Sequence, residues 1–400
     1  MYSVMREPDK LDRRQFIKTA AAATAVTVTG ATTIRSATAA DPIYLAVAGP
    51  MTGDAAAFGQ NAKRGADVAV ALINGAGGIG GRQVAYDTFD DMGSPKEAAS
   101  VARRILDAGK YQAVVGHVNS SCTLAALPVY NEVSMPVFVG ASSNPKITES
   151  GWDNVVRLVI RDDYGAQQYS AFAVNNLGKK KLGILFGNDD FGRGLRDEVV
   201  KAADVLSAKV VAEAGFTPNQ DKDFSSVISL FKARGVDAFM LNCNYTEGGL
   251  FLGQAKGAGI TGIPTVGPDS LLFEEFISLS QGGAEGAYVL SSFDPYATTA
   301  KATAYRDNYR KLYSKLPDIV STYTHDIFFI VKQLVEGGAT KENLIASAKS
   351  EKFDDAGGHF EFNNKGDVKG RGKYVLLVKD GKFVSTGSSV DETGLERIRK

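Results

Sequence analysis

Cysteine, histidine and unbalanced charge are what this sequence is short of. Its 400 residues hold two cysteines, Cys122 and Cys243, far apart in the chain, so the fold does not rest on the disulfide framework that small secreted domains use. The three histidines, His117, His325 and His359, have no metal-ligand spacing, and none stands in an evident nucleophile arrangement with a serine or cysteine. Lys plus Arg (45) equals Asp plus Glu (45). With no basic block past the first forty residues, neither nucleic acid nor an anionic membrane is an expected partner. The N-terminal apolar run falls short of the about 20 strongly apolar residues that a membrane span needs, and the rest of the chain carries no internal repeat or low-complexity tract.

What is present begins with an address. "LDRRQFIK" (11–18) sets Arg13 and Arg14 ahead of a short run of Ala, Thr and Val, and "ATAA" (37–40) offers the small residues of a signal peptidase site. The pattern resembles a twin-arginine export signal, so residues 1–40 are expected to be removed near Ala40, leaving a mature chain that starts close to Asp41. No cysteine lies in the signal, which excludes lipid anchoring at that point. The remaining about 360 residues suit two domains with sizeable cores.

From Ile43 onward, short β-rich runs alternate with amphipathic helical stretches, the signature of βαβ units and parallel sheet. Strands are expected at 43–50, 83–91, 111–118 and 135–141, then in a second series at 181–187, 209–216, 237–244 and 263–269. Two copies of one wound α/β architecture fit this better than one large sheet. Past Asp294 the pattern turns helical, and the chain closes on "KYVLLVKDGKFV", whose Asp380-Gly381 pair suits a type I′ hairpin turn.

One stretch could suggest a nucleotide enzyme: "NGAGGIGGR" (74–82), with Gly75, Gly77 and Gly80 on a G-x-G-x-x-G spacing. A dinucleotide fingerprint needs strand, glycine turn and helix in that order. Here a helical run precedes the glycines and a strand follows them. Gly75 and Gly77 therefore read as helix C-caps, and Gly80-Gly81 as the turn into the strand. No cofactor is expected.

In wound α/β domains ligands bind beyond the carboxyl ends of the strands, which directs attention to "GPMTGDAAAF" (49–58), "GHVNSSC" (116–122), "GASSNP" (140–145), "GNDDFG" (187–192), "NCNYTE" (242–247) and "GPDS" (267–270). Hydroxyls and amides crowd the first half, carboxylates and aromatics the second, a set suited to a small zwitterion between two lobes. Ser120 and Ser121 open a helical run, where each serves either as an N-cap or, with free amides and the helix dipole, as a seat for a carboxylate. Ser142 and Ser143 repeat that chemistry. Asp269 is either a turn residue or the partner of an ammonium, and Phe58 and Phe191 are either core or an aromatic wall.

The segments "IYLAVAGPMTGDAAAFGQNAKRGADVAVALINGAGGIGGRQV", "VVGHVNSSCT", "GASSNPKITE", "FGRGL" and "GPD", in this order, resemble the type I periplasmic solute-binding proteins of branched-chain amino acid ABC transporters, the leucine/isoleucine/valine-binding group. The resemblance implies two wound parallel-sheet lobes joined by three crossover segments: 41–161 with 294–369, and 162–293 with 370–400. It implies a ligand in the interlobe cleft, no catalysis, a membrane permease as partner, a periplasmic or extracytoplasmic location, and a monomer. Carried over by position, Ser120 and Ser143, with Ser142 beside them, hold the ligand's α-carboxylate, and Val118 and Asn119 line the same strand end. Asp269 takes the α-ammonium, one methylene shorter than the usual glutamate. Phe58 and Phe191 fall on aromatic positions, and Asn244 replaces a tyrosine that Tyr245 follows at once. An amino acid is thus the expected ligand. The alternatives are a protein that binds or senses an amide, urea or organic acid and, in another class, an exported oxidoreductase.

Overall fold

A computed structural model describes residues 41–390, and every structural count below is of these residues. The expected signal peptide lies outside them. Five parallel strands, β1 (Ile43–Gly49), β2 (Val84–Asp90), β3 (Tyr111–Val115), β4 (Val137–Val139) and β5 (Val155–Arg157), form a sheet in the order β2-β1-β3-β4-β5. A second sheet takes β6 (Lys181–Gly187), β7 (Lys209–Phe216), β8 (Ala238–Asn242), β9 (Thr265–Pro268) and β10 (Tyr288–Ser291). Three short strands, β11 (Lys352–Asp355), β12 (Gly358–Phe362) and β13 (Val368–Lys369), make a small sheet. The chain then returns to the second sheet with β14 (Lys373–Lys379) and β15 (Lys382–Val390), giving the order β15-β14-β10-β9-β8-β6-β7. It passes between the two large sheets three times, at 158–161, after Ser291 and at 370–372.

Local sequence explains the elements that carry this architecture. The helix Pro95–Ala108 starts with the Ser94 hydroxyl accepting from the Glu97 amide at 3.4 Å and proline in its first turn, and it stops at Gly109, whose φ of 65° is left-handed. Its buried Ala98, Val101, Ala102 and Ile105 recur at helical spacing and pack on the first sheet. The helix Ile319–Glu336 opens with a capping box between Asp318 and Ser321. It crosses the helix Ala56–Gly75 at Gly65, where a Cβ would stand 2.0 Å from the Ser321 carbonyl oxygen. Only glycine permits that approach, which brings Ile319 and Val320 to the cleft between the lobes.

The glycine run behaves as structure. The helix ends at Gly75 with Ala76 as its C-cap in an ordinary conformation, and the left-handed residues are Gly77 and Gly78 (φ 100° and 84°), so the reversal falls later than Gly75. Gly80 and Gly81 form the two-residue turn between Ile79 and Arg82, which exchange both backbone hydrogen bonds. The hairpin turn at Asp380-Gly381 has the expected positive φ at both residues. Strands β5 and β10–β13, two to five residues long, are not among the strands expected from the sequence.

Candidate functional site

The carboxyl ends of β3, β4, β6, β8 and β9 face one another across the gap between the two large sheets, and the loops that follow them enclose a cavity of about 40 Å³. Phe58, Val118, Asn119, Ser120, Ser143, Phe191, Asn244 and Asp269 all line it, together with Ala141, Val159, Asp189, Ser270, Ile319 and Val320. Eight of the ten residues singled out in the sequence therefore meet at one place.

Ser142 and Tyr245 stand outside that lining. The Ser142 hydroxyl lies 2.6 Å from Thr123 Oγ1, 3.0 Å from the His117 carbonyl oxygen and 2.8 Å from that of Val118. It is fully buried and ties the two strand-end loops together one layer behind the cavity. Both residues lie in the irregular segment past the end of β4, where the path of the loop sets which side chain meets the cavity. Tyr245 turns its hydroxyl to the opposite lobe, donating to the Asp54 carbonyl oxygen at 3.0 Å and accepting from the Ala57 amide at 3.3 Å. Its ring stacks on Phe273 (4.9 Å between centroids) and meets Phe58 at 5.1 Å, so it walls the aromatic end of the cavity at second hand.

The first-lobe side offers hydroxyls and an open helix start. Helix Ser120–Asn131 begins with Asn119 at its N-cap and has no side-chain cap hydrogen bond, leaving its first amides and the positive end of its dipole toward the cleft. Ser120 Oγ accepts from the Asn144 amide at 3.3 Å, and the Ser143 hydroxyl bonds the carboxyl of Asp162. Burial pushes the Asp162 carboxyl up to about 7, although Ser143, Arg157 and Lys373 pull the other way and Asp269 adds to the rise.

The second-lobe side differs from what the sequence implied. Asp269 Oδ2 accepts from Lys373 Nζ at 2.7 Å and from Ser292 Oγ at 3.3 Å. Lys373 is 4% exposed in its side chain and stands 104 residues further along the chain. Sequence reasoning missed it, because a lysine at the start of a late strand carries no signal that it faces a turn two strands away. Asp189, the other carboxylate on the lining, accepts from the Gly192 amide at 2.7 Å and caps the helix Asp190–Val205; burial raises its pKa.

The lobes are closed on each other. Ser121 Oγ donates to Asp190 Oδ2 at 2.8 Å, Asn144 Nδ2 to the Asp190 carbonyl oxygen at 2.6 Å, and Lys222 pairs with Asp54 at 2.7 Å. A larger cavity of about 420 Å³ lies beyond the Phe58–Phe273 contact, lined by Leu272, Ile277, Leu316 and Phe383 among others. Two of its ionic groups are engaged, with Lys315 3.1 Å from Glu274 and Arg64 donating to Asn61 Oδ1 at 2.5 Å. The smaller cavity, where strand ends and four helix starts converge, is the better candidate. Among the described residues no group of three or more His, Cys, Asp or Glu is placed to hold a metal, and both cysteines are buried and free.

The sequence profile of the periplasmic binding protein family matches residues 42–382, and that of twin-arginine translocation signal sequences matches residues 10–30. A leucine-, isoleucine-, valine-, threonine- and alanine-binding protein of Pseudomonas aeruginosa is 29% identical over 83% of this chain and 88% of its own length. Among solved structures, a leucine-binding protein of Thermotoga maritima is 25% identical, with a TM-score of 0.82 over 88% of this chain and all of its own. A solute-binding protein of an ABC transporter from R. palustris, in complex with benzoate, shares the fold at 19% identity and a TM-score of 0.80, over 88% of this chain and 98% of its own.

Proposed function

The chain belongs to the periplasmic binding protein family and is an exported solute-binding component of an ABC transporter rather than an enzyme, and from that premise we propose that it captures a small carboxylate-bearing solute between its lobes and hands it, as a single chain, to a membrane permease. The observation that carries this reading is the uncapped start of helix Ser120–Asn131 beside the Ser120 and Ser143 hydroxyls. Amide donors and a helix dipole open there with no side-chain cap, beside the Ser120 hydroxyl, while Asp162 and Asp190 engage the neighbouring Ser143 and Ser121 hydroxyls. The chain crossings support lobes of 41–161 with 294–369 and of 162–293 with 370–400, the last ten of these residues lying outside the described ones.

Amino acids are the class for which the curated relative is named, and an amine-free aromatic acid occupies the R. palustris neighbour. Both carry a carboxylate, which is the part of the ligand that the first-lobe geometry supports. The aromatic and aliphatic lining from Phe58, Val118, Phe191, Ile319 and Val320 supports an apolar body on that carboxylate. A thermal-shift screen over amino acids, organic acids and amides tests the reading. A carboxylate at 100 times its Kd stabilises by about 2.7 kcal/mol, whereas the corresponding amides leave the melting temperature unchanged. Ser120→Ala removes a hydrogen bond to a charged group, about 1.5–3 kcal/mol, and weakens the best carboxylate by roughly 10- to 150-fold. Stabilisation by the amides and not the acids would discard the proposal.

A further inference from the structure

Among the described residues, the carboxylates on the second polar face of the cleft already have partners within the chain, and Asp269 is the one held by a cation. Two carboxylates line it, and each is already engaged within the chain: Asp189 by the Gly192 amide, Asp269 by Lys373 and Ser292. Lys373 cannot be treated as a surface lysine that happens to lean inward. Its side chain is 4% exposed, and it lies against helix Asp162–Ala171, with its Cε 3.6 Å from where a Cβ of residue 165 would stand. A buried ammonium stays only where a partner neutralises it, and Asp269 does so at 2.7 Å. The other acid nearby, Asp162, is itself drawn toward the neutral form by burial. The Asp269–Lys373 pair is thus a built-in neutral unit, with Asp269 still presented to the cleft through the oxygen that Lys373 does not hold.

An α-ammonium arriving at Asp269 would share one carboxylate with a second ammonium, and the repulsion between the two cations offsets the attraction that the carboxylate supplies. An uncharged donor meets no such penalty and satisfies the free oxygen. Resting on the carboxylate reading above, we infer that Lys373 is a specificity-determining residue that turns this cleft toward amine-free carboxylates, hydroxy acids foremost, and away from the matching amino acids.

The test is calorimetry on the exported, mature protein with matched pairs: L-leucine against 2-hydroxy-4-methylpentanoate, L-phenylalanine against 3-phenyllactate, L-alanine against lactate, extended over the remaining neutral side chains. The hydroxy acid of the best pair is expected to bind at least about tenfold tighter than its amino acid, since like charges brought together in an interface discriminate strongly. In Lys373→Met the apolar stem remains and the charge is gone, so the order should invert; Lys373→Arg should keep it. Should Lys373→Met fail to fold, the wild-type pairs decide alone. Tighter binding of the amino acid by the wild type overturns the inference and leaves the carboxylate reading intact, with Lys373 swinging off Asp269 to admit the ligand. Failure of every acid and amino acid to bind removes the carboxylate reading and this inference with it.

Discussion

Four helices begin at the cleft, at Ser120, Asp190, Tyr245 and Ile319, and the two that touch each other, one from each lobe, treat their first amides in opposite ways. Helix Asp190–Val205 brings its own anion: Asp189 precedes it and accepts from Gly192. Helix Ser120–Asn131 is preceded by Asn119, which forms no cap bond and whose Oδ1 has no partner among the described residues. The two starts touch through Ser121 and Asp190, and one carries acids at its cap and first turn where the other carries none. Of these two dipole ends, the one that is left unfilled is the one available to a ligand's anion.

The comparison breaks most sharply if the open start is closed. Asn119→Asp places a carboxylate where Asp189 stands on the other helix, and aspartate is as good an N-cap as asparagine, so the fold should persist. The solute's carboxylate would then face a like charge at contact distance, about 4 kcal/mol at an intermediate dielectric, enough to weaken binding by roughly 100-fold or more. Calorimetry with the best carboxylate, beside circular dichroism of the variant, measures this. Undiminished affinity would show that the anion sits elsewhere.

Opening the closed start is the smaller experiment. Asp189→Ala removes an N-cap and should cost about 0.5–2 kcal/mol of stability in urea unfolding. Carboxylate affinity should change by no more than about fivefold, toward tighter binding, because a nearby negative charge is lost. If this variant loses the ligand as badly as Asn119→Asp does, the two helix starts are not opposites and the distinction falls.

The subtlest effect concerns Asp162, which holds the Ser143 hydroxyl from behind. Its carboxyl sits near 3.8 ordinarily and at about 7 here, burial being the main cause. The folded chain therefore holds this proton more firmly than the unfolded one, and the contribution to stability is present at low pH and lost as pH rises from about 4 through 7. Asp318, at about 6, and Asp355, at about 7, push in the same direction for the same reason. Asp162→Asn should flatten the decline between pH 4.5 and 7.5 in part; denaturation curves with unchanged slope would mean that Asp162 is charged throughout.

Legibility in the sequence followed distance along the chain. Ser120, Ser143, Phe58 and Phe191 could be found because each lies just after a strand whose apolar run is long enough to recognise, and the rule that ligands sit beyond such ends does the rest. Ser142 could not be separated from Ser143, because which of two neighbours faces the cleft depends on the path of the loop. Lys373 was out of reach altogether. Its pairing with Asp269 depends on β14 lying beside β10 and β10 beside β9, contacts between segments distant in the chain. The lobes, the hairpin and the structural role of the glycine run were visible, since each rests on local chemistry that no distant contact can reverse.

The threefold passage of the chain between the sheets also sets a timetable. Strand β5 is held by the far end of the chain: the Arg157 amide donates to the Gly366 carbonyl oxygen, and the Arg157 guanidinium is paired, fully buried, with Asp367. These partners are 210 residues apart. At a synthesis rate of about 5–20 residues per second, the first lobe waits about 10–40 s after Arg157 is made before the carboxylate that neutralises it exists. The first lobe is thus finished only once residues 366–367 have been made, long after the twin-arginine address at residues 10–30 has emerged. A route that moves folded cargo suits such a chain, because the cargo has no completed half to offer any earlier.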